Sequence, residues 1–172
     1  MLERLAIILG GSVDLDSFIA LAVFCVAAFG AASAGGLFAP GEWYERLNHP
    51  SWRPPNWLFP VVWTPLYIMI AVSGFLVWKQ AGWGGATLAY TVYFVHLVIN
   101  FAWSGIFFGL KRMDWGLIEL IALWLSIVAT MVVFAPYSAT AVWLLVPYLI
   151  WVTFAGYLNF VMLRLNPDAP RS

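Results

Sequence analysis

Four stretches of the chain, residues 17–41, 54–78, 80–110 and 120–163, contain no Asp, Glu, Lys or Arg. A bilayer core takes roughly 20 apolar residues per helix, so each of the first three holds one span. The fourth has room for two and breaks at Pro136-Tyr137-Ser138, a turn-like cluster between two apolar runs. The pattern predicts five transmembrane helices, near 17–38, 58–79, 84–108, 114–135 and 139–164. The runs are unbroken rather than alternating, which argues against barrel strands. The fold class is therefore all-α: a polytopic five-helix membrane domain over 17–165, an N-terminal extension at 1–16 and a C-terminal tail at 166–172.

Short connections between spans two and three, three and four, and four and five favour antiparallel neighbours. The first connection, 39–57, is long and rich in Trp, Pro and charge, the kind of loop that more often carries function. Pro40-Gly41-Glu42 reads as a short helix start with an acid at its positive end. Trp43 and Leu47 then share one face and Glu42 and Arg46 another. Pro54-Pro55 predicts an extended entry into the second span. Such a loop is placed to cap the bundle, but for Trp43 and Trp52 the favoured reading is an interfacial belt, because Trp and Tyr prefer the headgroup level.

Composition sharpens this picture. Of 172 residues 63% are hydrophobic, 18% aromatic and 9% charged, against about 25% charged in soluble domains, which excludes an ordinary water-soluble fold. Eight Lys+Arg balance eight Asp+Glu with no basic stripe, so no nucleic-acid footprint exists. Cys25 stands alone, excluding an internal disulfide and a Cys-cluster metal site. No convincing cleavage site follows the short apolar stretch after Glu3-Arg4, so the start reads as mature protein. Arg4 and Lys79 fall on one side of the membrane and Arg46, Arg53, Lys111, Arg112, Arg164 and Arg171 on the other. That bias predicts a cytoplasmic C-terminus and an N-terminus on the opposite side.

Candidate chemistry lies on three faces. In the second span Pro60, Trp63 and Tyr67 form a stripe, and its two prolines free carbonyls that must be re-satisfied by protein or a cavity. The third span carries His96, Asn100, Trp103, Ser104 and Phe107 on one polar-aromatic face, and a buried Asn needs a partner. The fifth offers Pro147, Tyr148, Trp151, Ala155 and Asn159. Together they describe an intrahelical pocket with aromatic walls and few neutral hydrogen-bonding groups, suited to a planar apolar ligand. No acid/base constellation accompanies it, so no firm catalytic residue is assigned. His96 is expected in a helix–helix hydrogen bond rather than as a haem ligand. Glu119 is read as snorkelling or pairing near Lys111 and Arg112, beside the alternative of a functional intramembrane carboxyl. Small residues from Ala27 to Gly36 suit internal packing or a dimer face. Lys79, at a span end, excludes a mid-membrane retinal Schiff base, and no GxxxxGK[ST] is present for nucleotide-driven pumping.

The string from Trp52-Arg53-Pro54-Pro55-Asn56-Trp57 to Trp63-Thr64-Pro65-Leu66-Tyr67, then Asn100-Phe101-Ala102-Trp103-Ser104-Gly105, then Val146-Pro147-Tyr148-Leu149-Ile150-Trp151 with Leu158-Asn159-Phe160, resembles the TspO family over about 17–165. These are the tryptophan-rich sensory proteins and translocator proteins, or peripheral benzodiazepine receptors. The resemblance implies a five-helix bundle, commonly a homodimer, that binds protoporphyrin IX and haem-like tetrapyrroles, sterols, and benzodiazepine or isoquinoline compounds. It implies ligand contacts at Tyr44, Trp63, Asn100, Ser104, Trp151 and Ala155. It also links the family to sensing, to porphyrin transport and to light-dependent porphyrin breakdown, in which Trp63 and Trp151 are the residues of interest. Phe160 stands where a tyrosine would complete the family's sterol motif before Arg164, which weakens the expectation of sterol binding.

Overall fold

A computed structural model describes residues 14–169; the predicted extension at 1–16 lies almost wholly outside them. The chain forms α1 (Leu15–Ala32), the short continuation α2 (Ala34–Leu37), the loop helix α3 (Glu42–Glu45), then α4 (Leu58–Ala81), α5 (Thr87–Ser104), α6 (Met113–Phe134) and α7 (Ala139–Leu165). A π-helical turn, Gly105–Gly109, extends α5. Among the described residues, five helical segments are long and apolar enough to cross a membrane: Leu15–Leu37, Leu58–Ala81, Thr87–Gly109, Met113–Phe134 and Ala139–Leu165. They coincide with the five expected spans to within a few residues.

Local chemistry sets the ends. Asp14 caps α1, its side chain accepting from Asp16 N–H at 3.4 Å. Ser138 caps α7, accepting from Ala141 N–H at 3.2 Å. Gly82 closes α4 at φ 58°, a left-handed conformation that glycine adopts without penalty. The third span therefore begins at Thr87 rather than 84, because the glycine-rich turn after α4 runs through Gly84 and Gly85.

The helices close into a ring in the order α1, α4, α7, α6, α5 and back to α1. This corrects one expectation: α4 and α5, though joined by a short turn, keep their backbones apart. Aromatic side chains fill the space between them, with Tyr93 Oη reaching across to donate to Ile70 O at 3.2 Å. Small residues let α1 seal the ring, and Ala20 and Ala28 are fully buried. Gly74 of α4 lies directly under Phe24 of α1, where an added Cβ would come within 2.5 Å of the ring. A second apolar cluster sits under the long loop, built from Tyr44, Leu47, Phe107, Met113, Leu158 and Met162.

Candidate functional site

The loop forms the helix its sequence foretells. α3 carries Glu42 and Arg46 on its exposed side, paired at 2.6 Å, and turns Tyr44 inward to 4% exposure with Leu47 beside it. The loop is fastened at both flanks. Asn56 Nδ2 donates to Glu45 Oε1 at 2.8 Å, while Asn48 and Asn166 exchange hydrogen bonds with the end of α7. Arg53 donates to His49 Nε2 at 3.2 Å and lies 5.3 Å from the Tyr44 ring centroid. Burial pushes the Tyr44 hydroxyl up from its usual value, against the opposing pull of Arg53. Burial and the Arg53 charge hold His49 below the usual imidazole range.

Beneath the loop, Phe107 meets Tyr44 edge-on at 6.1 Å, Trp43 at 6.0 Å, and Trp103 in a stack at 5.2 Å. The π turn makes this crowding possible. Its Leu110 N–H donates to Gly105 O at 2.8 Å, one residue wider than an α turn, so the consecutive Phe107 and Phe108 rings both reach Tyr44.

Deeper in the bundle, one asparagine ties three helices. Tyr67 Oη of α4 donates to Asn100 Oδ1 at 2.7 Å, and Asn100 Nδ2 of α5 donates to Tyr148 Oη of α7 at 2.8 Å. All three residues are buried. Trp63 stacks on Tyr67 at 5.2 Å and meets Tyr148 edge-on at 5.9 Å. His96 lies 5.8 Å from the Tyr148 ring. Trp151, one turn along α7, packs against Phe59 at 5.8 Å and Phe154 at 5.4 Å.

Most expected site residues thus converge: Tyr44, Trp103 and Phe107 in the upper layer, and Trp63, Tyr67, His96, Asn100 and Tyr148 in the lower, with Trp103 packing against both clusters. Ser104 is buried and Ala155 half-buried on the flanking turns. Four placements differ from the sequence reading. Pro60 is exposed on the outer side of the first turn of α4, and its neighbour Phe59 faces Trp151 instead. Asn159 leaves the Trp151 stripe functionally, pinning α6 by donating to Met113 O at 3.0 Å. His96 bonds within its own helix, Nδ1 donating to Tyr93 O at 2.7 Å, rather than between helices. Both Glu119 carboxyl oxygens are buried without a partner, so the side chain neither snorkels nor pairs. Sequence reasoning also missed Phe59, Tyr93 and Phe154. Each is one aromatic in a chain with 31 Phe, Trp and Tyr side chains in all (13, 11 and 7), so the residue type alone carries little signal.

Residues 19–165 match the model of the TspO/MBR family. The chain is 46% identical to Protein CrtK of Rhodobacter capsulatus over 147 residues, which cover 85% of this chain and 92% of the relative. It is 43% identical to the tryptophan-rich sensory protein of Cereibacter sphaeroides, over 89% of this chain and 96% of the relative. With the human translocator protein it shares 38% identity over 77% of this chain and 81% of the relative. A five-span bundle, three motifs in order and a match along nearly its whole length establish that this chain belongs to the TspO/MBR family of integral membrane proteins.

Proposed function

We propose that this protein is a membrane receptor or regulator that binds tetrapyrroles of the protoporphyrin IX type, and other flat apolar molecules, between α4, α5 and α7 under the long loop. The observation that carries this reading is the Tyr67–Asn100–Tyr148 tie, with the Trp63 ring against both tyrosines and Trp151 one turn along α7 on Phe59 and Phe154. Large aromatic faces bind a planar ring by stacking, and a central amide orients it by hydrogen bonding. Benzodiazepine or isoquinoline compounds fit the same chemistry, and sterols fit it less well. The relatives' names, sensory protein and translocator, accord with a ligand that is perceived or moved.

Two further parts of the reading concern placement. Lys111, Arg112, Arg53, Arg46 and Arg164 gather at the loop end of the bundle while Lys79 lies at the other, which supports a cytoplasmic loop end and C-terminus. The outer face of α1 leaves Phe18, Ile19, Val23 and Val26 exposed, which supports a homodimer built on that helix.

The test is a titration of the purified protein with protoporphyrin IX in detergent, following tryptophan fluorescence in the dark and porphyrin absorbance under light. Saturable quenching that weakens about tenfold in Asn100→Ala and Trp151→Phe supports the reading. Quenching that never saturates refutes it. Light-driven loss of porphyrin that disappears in the Trp63→Phe, Trp151→Phe double variant would move the assignment to photo-oxidative breakdown.

A further inference from the structure

The long loop carries two acids and two arginines, and they do not all pair with one another. Glu42 meets Arg46 at 2.6 Å, and Glu45, the other acid, accepts from Asn56 Nδ2 at 2.8 Å. Among the described residues the ion pairs are that one and Arg112 with Asp114, so the Arg53 guanidinium meets no carboxylate. It is half-buried all the same, and its partners are neutral. His49 Nε2 accepts from Arg53 Nη1 at 3.2 Å, and the Tyr44 ring centroid lies 5.3 Å from Arg53 Cζ. A guanidinium has five N–H donors, and its side-chain bonds among the described residues run from Nη1 to the His49 ring alone. The result is a cation partly withdrawn from water, with one edge held and the rest of its fork unused.

The segment that carries Arg53 touches the aromatic site on two sides. Arg53 lies on Tyr44, and Tyr44 meets Phe107 and Phe108 edge-on at 6.1 and 5.4 Å. The preceding residue, Trp52, meets Phe154 of α7 edge-on at 6.0 Å, and Phe154 lies 5.4 Å from Trp151. Arg53 N–H donates to Pro50 O at 3.0 Å, closing a turn, and Pro54-Pro55 follows at once, so the backbone that presents the guanidinium is stiff. Arg53 is thus one ring removed from Phe107, and its neighbour Trp52 one ring removed from Trp151.

We infer that Arg53 is a specificity-determining residue of this site, its guanidinium receiving the carboxylate at the edge of a bound flat ring, so that acidic planar molecules bind in preference to neutral ones of the same shape. The inference rests on the function proposed above and names the polar end of the ligand. The planar fork of Arg takes two carboxylate oxygens through parallel N–H···O bonds, and such charge-assisted bonds are stronger than neutral ones. The propionate arms of protoporphyrin IX hold their carboxylates on short methylene tethers beyond the ring. The ring can therefore lie against the aromatic side chains while one arm reaches the loop. A neutral sterol gains no such contact.

The experiment compares protoporphyrin IX with its dimethyl ester, which keeps the ring and loses both charges, in dark titrations of wild type, Arg53→Gln and Arg53→Lys in neutral detergent. The quantity read is the ratio of acid to ester affinity, compared between proteins so that partition into detergent cancels. The ratio should fall about tenfold in Arg53→Gln, through the acid alone, and by less in Arg53→Lys, which keeps the charge without the fork. In wild type it should also fall as salt is added, a reading that needs no variant to fold. An equal loss for both porphyrins in Arg53→Gln, an unchanged ratio, or a wild-type ratio indifferent to salt overturns the inference. So does an unchanged ratio in Arg53→Gln joined to lost stabilisation by phosphatidylglycerol in mixed micelles, which would assign the guanidinium to a lipid phosphate. Absence of saturable binding of either porphyrin by wild type removes the proposed function and this inference together; saturable binding indifferent to Arg53 removes the inference alone.

Discussion

Asn48 and Asn166, 118 positions apart, hold each other reciprocally: Asn48 N–H donates to Asn166 Oδ1 at 2.8 Å and Asn166 Nδ2 donates to Asn48 O at 2.9 Å. Asn48 Nδ2 adds a third bond to Leu165 O at 3.3 Å. The loop over the aromatic site is therefore fastened to the end of α7 by side-chain amides on each strand of the contact. Asn166→Ala removes both reciprocal bonds at a cost of about 1–2 kcal/mol. It should raise amide exchange across residues 40–50 and speed ligand dissociation, with the bundle's own unfolding little changed. Exchange mass spectrometry of this variant beside wild type provides the check, and unaltered loop protection would show that the clamp holds nothing.

The Asn100 tie is a membrane-embedded network, where single interhelical hydrogen bonds contribute about 0.6 kcal/mol and at most about 1.7. Tyr67→Phe or Tyr148→Phe should each lower stability within that range. Asn100→Leu should cost more than either, because it strands two buried hydroxyls. Denaturant unfolding in mixed micelles, arranged as a double-mutant cycle between positions 67 and 148, reads the coupling through Asn100.

Close helix contact makes Gly74 and Gly30 a matched pair. A Cβ at Gly74 would meet Phe24 at 2.5 Å and Tyr93 at 3.1 Å, whereas at Gly30 nothing lies within 4 Å. Gly74→Ala should destabilise by about 1–3 kcal/mol through overpacking between α1 and α4. Gly30→Ala, in a helix with open space, should be neutral or gain up to about 1 kcal/mol. Melting temperatures in the same detergent compare the two directly, and equal behaviour would contradict the packing described.

The loop's response to acid follows from His49. Its folded-state value lies below the ordinary 6.5, so above that pH the ring is neutral folded or unfolded and the loop has its full stability. As pH falls through 6.5 the unfolded form binds a proton first, and stability is lost down to the lower folded value. Below it no further loss occurs. Loop protection, with the amides' own pH dependence divided out, should thus fall as pH drops through 6.5, and His49→Gln should flatten the fall.

The five spans were legible because charge is so sparse that its gaps mark the helices, and α3 because Pro-Gly-Glu signals a start wherever it stands. Asn100 was legible as a residue needing a partner, but Tyr67 and Tyr148 as the partners depend on how three helices are staggered, which no single helix encodes. Pro60 shows the limit of stripe reasoning. At the first turn of α4 the local face turns outward, and Phe59 takes the inward position. Glu119 was misread for a related reason: distance along the chain to Lys111 and Arg112 suggested pairing, yet Arg112 is taken by Asp114 at 2.6 Å. The π turn left no readable period at all, since it shifts the register by one residue within five.

The loop clamp and the Asn100 tie differ in what surrounds them. The amide pair of Asn48 and Asn166 is exposed, so water can replace either bond as it breaks, whereas Tyr67, Asn100 and Tyr148 are sealed from solvent and have only one another. Fastenings with such unequal surroundings differ in what it costs to open them. The wetted outer latch exchanges freely with water, whereas under the function proposed above the dry inner one would part for a molecule that supplies replacement hydrogen bonds. On that proposal admission and recognition would be separate events, the first set by solvent at the loop and the second by the chemistry of the ring that reaches Asn100.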